Sequence, residues 1–286
     1  MSLAVVGTTG AALAAVPVVT LALTAAAVKP PSVSAKGVYL ADGESGSQLF
    51  GKAADIKRPM ASTTKVMTVA VVLDTPRLNL NRTVTVKQAY RDYVVAQHGS
   101  TADLRTGDKL SVRQLFYAAL LPSGSDAAYA LADTFGSGST VSARTKSFIA
   151  KMNQKAASLG MTKSRFDSFD GLSTAGNNYT TPKDLTKLAA YAVKNATFRT
   201  VVKTKETTQT AIASNGRTRT YTWYNSNKLL GSYKGIIGIK TGTATASGPC
   251  LVFAATRGDR TLIGTILNDA KRYPDAVKLL DYGFKS

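Results

Sequence analysis

The sequence predicts a mixed α/β (α+β) fold with one antiparallel sheet, built from both ends of the chain and flanked by helices, and an all-helical lobe from the middle. Strand-like runs lie near the N-terminus, at about 34–50, and return after residue 205. Between them, apolar runs follow helix start signals. At 286 residues and 44% hydrophobic content, the chain can form a large core.

Residues 1–27 are expected to be a signal peptide or an N-terminal membrane anchor. They carry no charge and end in Ala25-Ala26-Ala27, as in a secretory segment with a small-residue cleavage site. The usual basic start is missing, so a start that has lost residues, an uncleaved anchor and a less favoured buried helix all remain open. Residues 28–286 are expected to form the folded domain, with a sheet lobe at about 34–60 and 205–286 and a helical lobe at about 61–204.

Turn signals place the strands. Asp42-Gly43-Glu44-Ser45-Gly46 is a hairpin turn within Ser34–Phe50, and Asn215-Gly216 is a two-residue hairpin turn between Thr-rich flanks. Further strands are predicted at Thr83–Val86, Tyr233–Thr243, Cys250–Thr256 and Thr261–Leu267.

Capping signals place the helices. Ser111-Val112-Arg113-Gln114 is a capping box, and Thr181-Pro182 combines an N-cap residue with a proline in the first turn. Ser123–Asp126 is expected to be a polar loop between two helices. Helices are predicted around Ser62, from Val112 to Leu121, from Ala127 to Phe135, from Val141 to Leu159, after Thr181 and from Pro274 to Tyr282.

The charge balance predicts an anionic partner. The chain has 36 Lys and Arg against 17 Asp and Glu, a formal net charge of +19. Nucleic acid, acidic lipid or an acidic cell-wall polymer would each suit this charge. The basic residues are scattered and no zinc-finger or RNA-binding signature occurs, so no nucleic acid is expected.

Two residue types that occur once restrict the chemistry. Cys250 alone excludes an intrachain disulfide and a multi-thiolate metal site, and its apolar neighbours favour a buried structural role. A Ser-His-Asp triad would have to use His98, which lies in a polar stretch without a nucleophile motif. The base of a serine enzyme with this sequence is therefore not expected to be a histidine.

The stretch Met60-Ala61-Ser62-Thr63-Thr64-Lys65, ahead of the apolar run Val66–Leu73, suggests a nucleophile with its base. Residues three apart share a helix face, so the Ser62 hydroxyl and the Lys65 amine can meet. A lysine can act as the base only if burial or a nearby cation lowers its pKa. The alternative is an N-cap serine followed by a solvated lysine.

Lys240-Thr241-Gly242-Thr243 ends an apolar predicted strand and suits the binding of a carboxylate. A lysine and two hydroxyls can bond the carboxylate, and the glycine lets a substrate backbone approach. The alternative is an edge strand with a solvated lysine.

Three motifs in this order resemble those of one family. Ser62-Thr63-Thr64-Lys65, Ser123-Gly124-Ser125 and Lys240-Thr241-Gly242 resemble the Ser-x-x-Lys, Ser-x-Asn and Lys-Thr-Gly motifs of penicillin-recognising serine enzymes. With Phe169-Asp170-Gly171-Leu172 between the last two motifs, the chain resembles the low-molecular-mass penicillin-binding D-alanyl-D-alanine peptidases (family S11). Within that family, Leu121–Gly124 and Cys250–Arg257 resemble the small secreted DD-transpeptidases of actinomycetes.

The resemblance implies a penicillin-binding protein/β-lactamase-like fold and a role for each motif. Ser62 would attack the carbonyl of the penultimate D-alanine with Lys65 as base, and Ser123 would pass a proton to the leaving nitrogen. The N–H groups of Ser62 and Thr243 would form the oxyanion hole. The implied substrate-binding residues are Ser125, Lys240, Thr241, Gly242 and Thr243.

The same resemblance implies partners and a location. The substrates would be D-Ala-D-Ala stem peptides of peptidoglycan, and β-lactam antibiotics would inhibit the enzyme. The protein would act on the cell-wall side, secreted or membrane-associated, with an anionic wall polymer or membrane surface as a further partner. No cofactor and no metal are expected.

One departure keeps alternatives open. Ser125 stands where the family has Asn, and its single donor has a shorter reach, so it can bind Lys65 or the substrate but hardly both. A class A-like β-lactamase would need a glutamate between the second and third motifs, whereas the chain has only Glu44 and Glu206. A non-catalytic penicillin-sensing or wall-binding protein is the alternative from another class.

Overall fold

A computed structural model describes residues 1–5, 7, 10 and 28–286. Most of the segment predicted to be a signal peptide or anchor, 1–27, lies outside the described residues. Among the described residues, no helix is long and apolar enough to cross a membrane.

A five-stranded antiparallel sheet joins the two ends of the chain. The strands of the molecule are β1 (Gly37–Asp42), β2 (Gln48–Lys52), β3 (Arg58–Pro59), β4 (Thr83–Thr85), β5 (Lys109–Ser111), β6 (Tyr179–Thr180), β7 (Glu206–Ile212), β8 (Thr218–Tyr224), β9 (Ile236–Ala244), β10 (Gly248–Arg257) and β11 (Arg260–Leu267). The five-stranded sheet has the order β2-β1-β11-β10-β9. The predicted sheet of N- and C-terminal strands is thus confirmed, with β9 at one edge.

Both faces of this sheet are covered. Side chains alternate between the two faces of a strand. On β10, Val252 and Ala254 pack into the core shared with the helical lobe, whereas Leu251 and Phe253 pack into a second core that includes Leu279 and its neighbours near the C-terminus. The apolar run therefore forms a central strand buried on both sides.

The hairpin predicted at Asn215-Gly216 forms, but its turn is longer than the two residues expected, because Ala213 N donates to Arg217 O, and the hairpin does not join the terminal sheet. β7 and β8 extend a separate four-stranded sheet, β4-β5-β7-β8. Tyr221 and Trp223 face the helical lobe, where Tyr221 Oη donates to Asp108 Oδ2 at 2.6 Å and Trp223 Nε1 donates to Ala102 O at 3.0 Å. The expectation of one sheet for all terminal strands was wrong, because these aromatic residues bind the hairpin to the helices.

Eight helices complete the described part of the chain, and the two capping signals locate α3 and α6 well. They are α1 (Lys65–Leu73), α2 (Gln88–Ala96), α3 (Val112–Leu120), α4 (Ser125–Phe135), α5 (Val141–Ser158), α6 (Pro182–Ala192), α7 (Ala196–Lys203) and α8 (Arg272–Gly283). The capping box forms, with Gln114 N donating to Ser111 Oγ at 3.2 Å and Ser111 N to Gln114 Oε1 at 2.8 Å.

Three differences concern helix positions. The predicted loop Ser123–Asp126 is shorter than expected, because α4 already begins at Ser125. Ser62 lies in a 3-10 turn, Ala61–Thr64, that precedes α1 rather than in the α-helix. The sequence analysis also missed α2 and α7, although the Asn195 side chain caps α7 by accepting from Phe198 N.

Candidate active site

The turn that carries Ser62 is held by its neighbours. Thr63 Oγ1 donates to Met60 O at 2.6 Å, and Ala61 has a positive φ of 47°. Gly171, with φ of 97°, lies directly against this turn, and a Cβ at position 171 would collide with the carbonyl group of Ala61. The close approach of residue 171 to Ala61 requires a glycine, and it fixes the backbone of the turn that contains Ser62.

Lys65 is in contact with Ser62 inside the protein. Its side chain is fully buried, and its Nζ lies 2.9 Å from Ser62 Oγ and 3.0 Å from Asp170 O. Burial lowers the pKa of Lys65 to about 8, while the carboxylates of Asp170 and Asp126 act in the opposite direction. The solvated lysine that the sequence left open is therefore not what the structure shows.

The second motif places two hydroxyl groups at the start of α4. Ser123 has a positive φ of 69°, and both Ser123 and Ser125 are buried. Ser125 N donates to Ser100 O at 2.8 Å, and the Asp126 carboxylate accepts from the N–H of Ala102 at 3.0 Å. These bonds join the start of α4 to the loop that follows α2.

The third motif lies on the edge strand β9, yet its lysine is not solvated. Lys240 is 1% exposed, and burial lowers its pKa well below the ordinary value, with the charges of Lys65 and Arg272 acting in the same direction. β9 also runs close to the nucleophile, since a Cβ at Gly242 would lie 3.1 Å from Ser62 N. The third motif is thus brought to Ser62 by the packing of β9 on the 3-10 turn.

Several polar atoms at this site have no hydrogen-bond partner among the residues that the structure describes. They are Ser123 Oγ, Ser125 Oγ, Asp170 Oδ2 and Lys240 Nζ, and all are buried. A buried polar atom without a partner costs about 1–3 kcal/mol, so such atoms are rare. Their concentration here indicates a site whose partners arrive with a ligand.

Arg272 is a site residue that the sequence analysis missed. It begins α8, and its guanidinium donates to Gly242 O at 2.8 Å, to Thr243 Oγ1 at 3.0 Å and to Cys250 O at 3.0 Å. Thr241 Oγ1 lies 2.6 Å from Ser226 Oγ. No sequence motif predicts Arg272 as a site residue, because its position depends on how α8 packs beside β9 and β10.

A cavity of about 280 Å³ adjoins the Ser62 turn. It lies between the loop after Gly171 and the turn that joins β9 to β10, and it is lined by uncharged residues such as Asn178, Thr245 and Ser247.

His98 is exposed. No group of three or more metal-ligating side chains occurs among the described residues. The site can therefore perform serine chemistry with a lysine base, on a ligand that brings an anionic group to Lys240.

Comparisons with known proteins show which family this chain resembles. The family model described as D-alanyl-D-alanine carboxypeptidase matches residues 24–271. The D-alanyl-D-alanine carboxypeptidase of Streptomyces sp. strain K15 is 53% identical, over 98% of this chain and 97% of that protein. DacB2 of Mycobacterium tuberculosis is 34% identical, over 91% and 86%. The crystal structure of the Streptomyces K15 DD-transpeptidase superposes with a TM-score of 0.89, covering 91% of this chain and 100% of that one.

Proposed function

The chain belongs to the D-alanyl-D-alanine carboxypeptidase family, and from this premise we propose that it cleaves the D-Ala-D-Ala ends of peptidoglycan stem peptides. It acts as a serine-type carboxypeptidase or transpeptidase through an acyl-enzyme on Ser62, which β-lactam antibiotics also acylate. The fully buried Lys65 amine, 2.9 Å from Ser62 Oγ, is the observation that carries this proposal.

Acylation uses groups already in place. Ser62 Oγ attacks the carbonyl carbon of the penultimate D-alanine, and its proton passes to Lys65 Nζ. The negative oxygen that forms is stabilised by the N–H groups of Ser62 and Thr243. The C–N bond then breaks, Ser123 gives its hydroxyl proton to the leaving nitrogen and regains one from Lys65, and the terminal D-alanine departs.

Recognition of the terminal carboxylate is assigned to β9. Lys240 Nζ is buried without a partner, and a carboxylate would supply both the missing acceptor and the opposite charge. Thr241 and Thr243 hydroxyls complete the contact, while Gly242 lets the peptide backbone approach the nucleophile. Ser125, with its free buried hydroxyl, is available to bond the substrate amide.

The fate of the acyl-enzyme separates the alternatives. Glu44 and Glu206 are both exposed, in the turn after β1 and at the start of β7, so neither stands beside Ser62 to activate water as a β-lactamase requires. An amine is a better nucleophile than water, and Ser123 with Lys65 can remove its proton by the reverse of the leaving-group step. Slow hydrolysis and transfer to an amine are therefore expected.

The test of this function is covalent labelling followed by turnover. Intact-mass spectrometry after incubation with penicillin should show one adduct on the wild-type protein and on Ser232→Ala, an exposed control, but none on Ser62→Ala. Labelling of Ser62→Ala would remove Ser62 from the mechanism. Release of D-alanine from a D-Ala-D-Ala donor separates an enzyme from a penicillin sensor, and added glycine-like or diamino-acid acceptors should divert product from hydrolysis to transfer.

We further propose a location on the cell-wall side, secreted or membrane-associated through residues 1–27, with an anionic wall polymer as a second partner. Two adjoining cavities, of about 690 and 390 Å³, share Lys203, Ile237 and Thr256. The groove that they form is lined by four basic residues, which make no ion pair with a carboxylate in the described part of the chain: Lys194, Arg199, Lys203 and Lys205. Glu44 and Asp259 also line the groove.

Binding to polyphosphate and to anionic vesicles tests this second partner. The double variant Lys203→Glu/Lys205→Glu should lose retention on polyphosphate, whereas a control with the same charge change at two exposed lysines outside the groove, Lys146→Glu/Lys285→Glu, should lose much less. Equal losses in the two double variants would show that only net charge matters. Preference for vesicles over polyphosphate would assign the groove to the membrane surface.

A further inference from the structure

We propose that Asp170 is a positioning residue, whose main-chain carbonyl aims the Lys65 amine at Ser62 and whose carboxylate sets the pH range in which that amine accepts the Ser62 proton. The proposal rests on the function proposed above, because it takes Lys65 as the base of acylation. It assigns a role to a residue outside the three sequence motifs.

The carbonyl orients the amine. A neutral amine has two N–H donors and one lone pair, and Lys65 must turn the lone pair toward the Ser62 hydroxyl to accept its proton. Asp170 O accepts one N–H at 3.0 Å, which directs the remaining positions of Nζ toward Ser62 Oγ at 2.9 Å. The carbonyl is itself fixed, because Thr68 Oγ1 donates to Phe169 O and Gly171 packs on the turn of Ser62.

The Asp170 carboxylate is buried, and only one of its two oxygens accepts hydrogen bonds from described residues. Its Oδ1 accepts from Ser168 Oγ at 2.6 Å, from Tyr93 Oη at 3.1 Å and from Leu172 N at 3.1 Å. Its Oδ2 has no hydrogen-bond partner in the described part of the chain. Burial and the Asp170 carboxylate raise the pKa of Tyr93 above its ordinary value, so Tyr93 remains a neutral donor.

Asp126 is the other carboxylate that acts on Lys65, but its oxygens are engaged. They accept from the N–H groups of Ala102, Leu104 and Ala127 and from Thr101 Oγ1. Lys240, on β9, is the other buried lysine near Lys65, and burial and then the charge of Lys65 lower its pKa. Among these neighbours, Asp170 accepts a hydrogen bond from Lys65 through its main-chain carbonyl. It also has a buried carboxylate oxygen, Oδ2, without a hydrogen-bond partner in the described part of the chain.

The sign of the effect follows from charge. A negative group near Lys65 favours its ammonium form, so loss of that charge lowers the pKa of Lys65. In a plot of acylation rate against pH, the rate on the acid side follows the fraction of neutral Lys65. This acid limb then moves to lower pH. A less basic amine also accepts the proton less well, so the rate at high pH falls. The plots of acylation rate against pH for the wild-type protein and for a variant without the Asp170 charge should therefore converge or cross at low pH.

The experiment is the pH dependence of penicillin acylation, followed on the full chain by mass spectrometry between about pH 5 and 10. Asp170→Asn should lower the midpoint of the acid limb by about one pH unit and reduce the high-pH rate. Asp167→Asn is the matched control, because Asp167 lies in the same loop and bonds Ser173 and Asn177 instead. Its midpoint should stay at the wild-type value.

Other outcomes overturn the proposal. If Asp170→Asn lowers the acylation rate without moving the midpoint of the acid limb, Asp170 has only a structural role. If acylation is normal and deacylation is lost, Asp170 is instead the base that activates water. If Asp170→Asn does not fold, Tyr93→Phe decides, since removing the donor to Oδ1 leaves the negative charge less compensated and should move the midpoint of the acid limb upward. No movement or a downward one contradicts the role of Asp170. Failure of the proposed function is distinct, because the wild-type protein itself would then show no acylation.

Discussion

Two buried lysines, Lys65 and Lys240, define the chemistry at the scale of single residues. Taking an ammonium ion out of water is expensive, so burial alone drives each lysine toward its neutral form. For Lys65 the neutral form is the one a base needs. For Lys240 burial disfavours the ammonium form in the free site, and the carboxylate of the proposed substrate would favour that form and the uptake of a proton.

Proton uptake on binding is therefore the first prediction. A substrate carboxylate raises the lowered pKa of Lys240, so the complex binds more protons than its free components. The affinity for donors with a free terminal carboxylate should consequently fall as pH rises. Measuring KM against pH for a D-Ala-D-Ala donor and for its terminal ester checks this. The ester is the control, and an equal pH dependence of both would refute the carboxylate assignment.

The free hydroxyl groups of Ser123 and Ser125 lead to the second prediction. Neither has a protein partner, so Ser123→Ala and Ser125→Ala should change the free energy of unfolding by less than about 1 kcal/mol. Acylation by the peptide donor should nevertheless fall at least tenfold, most for Ser123→Ala. Thr186→Val is the control, because its buried hydroxyl bonds Pro182 O and Thr265 Oγ1 and its loss should cost about 1–3 kcal/mol without slowing acylation. Denaturant unfolding and the release of D-alanine from the peptide donor measure the two effects.

At the scale of elements, the loop after Phe169 acts as a support for the 3-10 turn of Ser62, and this gives the third prediction. Gly171→Ala should lower acylation by at least tenfold, because its Cβ would collide with Ala61 and displace Ser62. Gly176→Ala tests the same substitution at another positive φ, of 70°, with no atom within 4 Å of the new Cβ. It should cost about 1 kcal/mol of stability and leave acylation unchanged. Comparable activity loss in both variants would contradict the supporting role.

The elements that the sequence located correctly are those with local signals. The capping box at Ser111, the proline at Pro182 and the apolar run from Cys250 each determine their own structure over a few residues. The partner of the β7–β8 hairpin was not predictable in this way, because hydrogen-bonding edges look alike in sequence. Contacts of Tyr221 and Trp223 with the helical lobe decide it in the structure.

At the scale of the whole molecule, the site is assembled from regions far apart in the chain. Ser62 precedes α1, Ser123 precedes α4, Lys240 lies on β9, and Arg272 begins α8. By resemblance, the order of the motifs predicts that these regions form one site, and the contact of Lys65 with Ser62 and the approach of β9 to Ser62 are seen in the structure. The motif order could not show Arg272 or the backbone contact from Asp170 to Lys65, because both depend on tertiary packing rather than on residue types at a fixed spacing.

The last prediction concerns the stability of the whole chain against pH. The pKa of Lys65 is about 8 in the folded protein and 10.5 ordinarily, so between these values the unfolded chain binds the additional proton. Stability must then rise with pH across this window, by about 3 kcal/mol for this group, and be lost again as pH falls toward 8. Lys240 acts in the same direction.

Lys65→Met isolates this contribution, because it keeps the volume and removes the charge. At pH 7 the variant should be the more stable protein, as expected where a catalytic group is maintained at a cost to the fold. Its advantage over wild type should shrink as pH rises from about 8 to 10, while the tyrosines titrate equally in both and cancel in the difference. Denaturant unfolding at each pH measures it. A constant difference would mean that Lys65 keeps its ordinary pKa in the folded protein, and it could not then be the base of acylation.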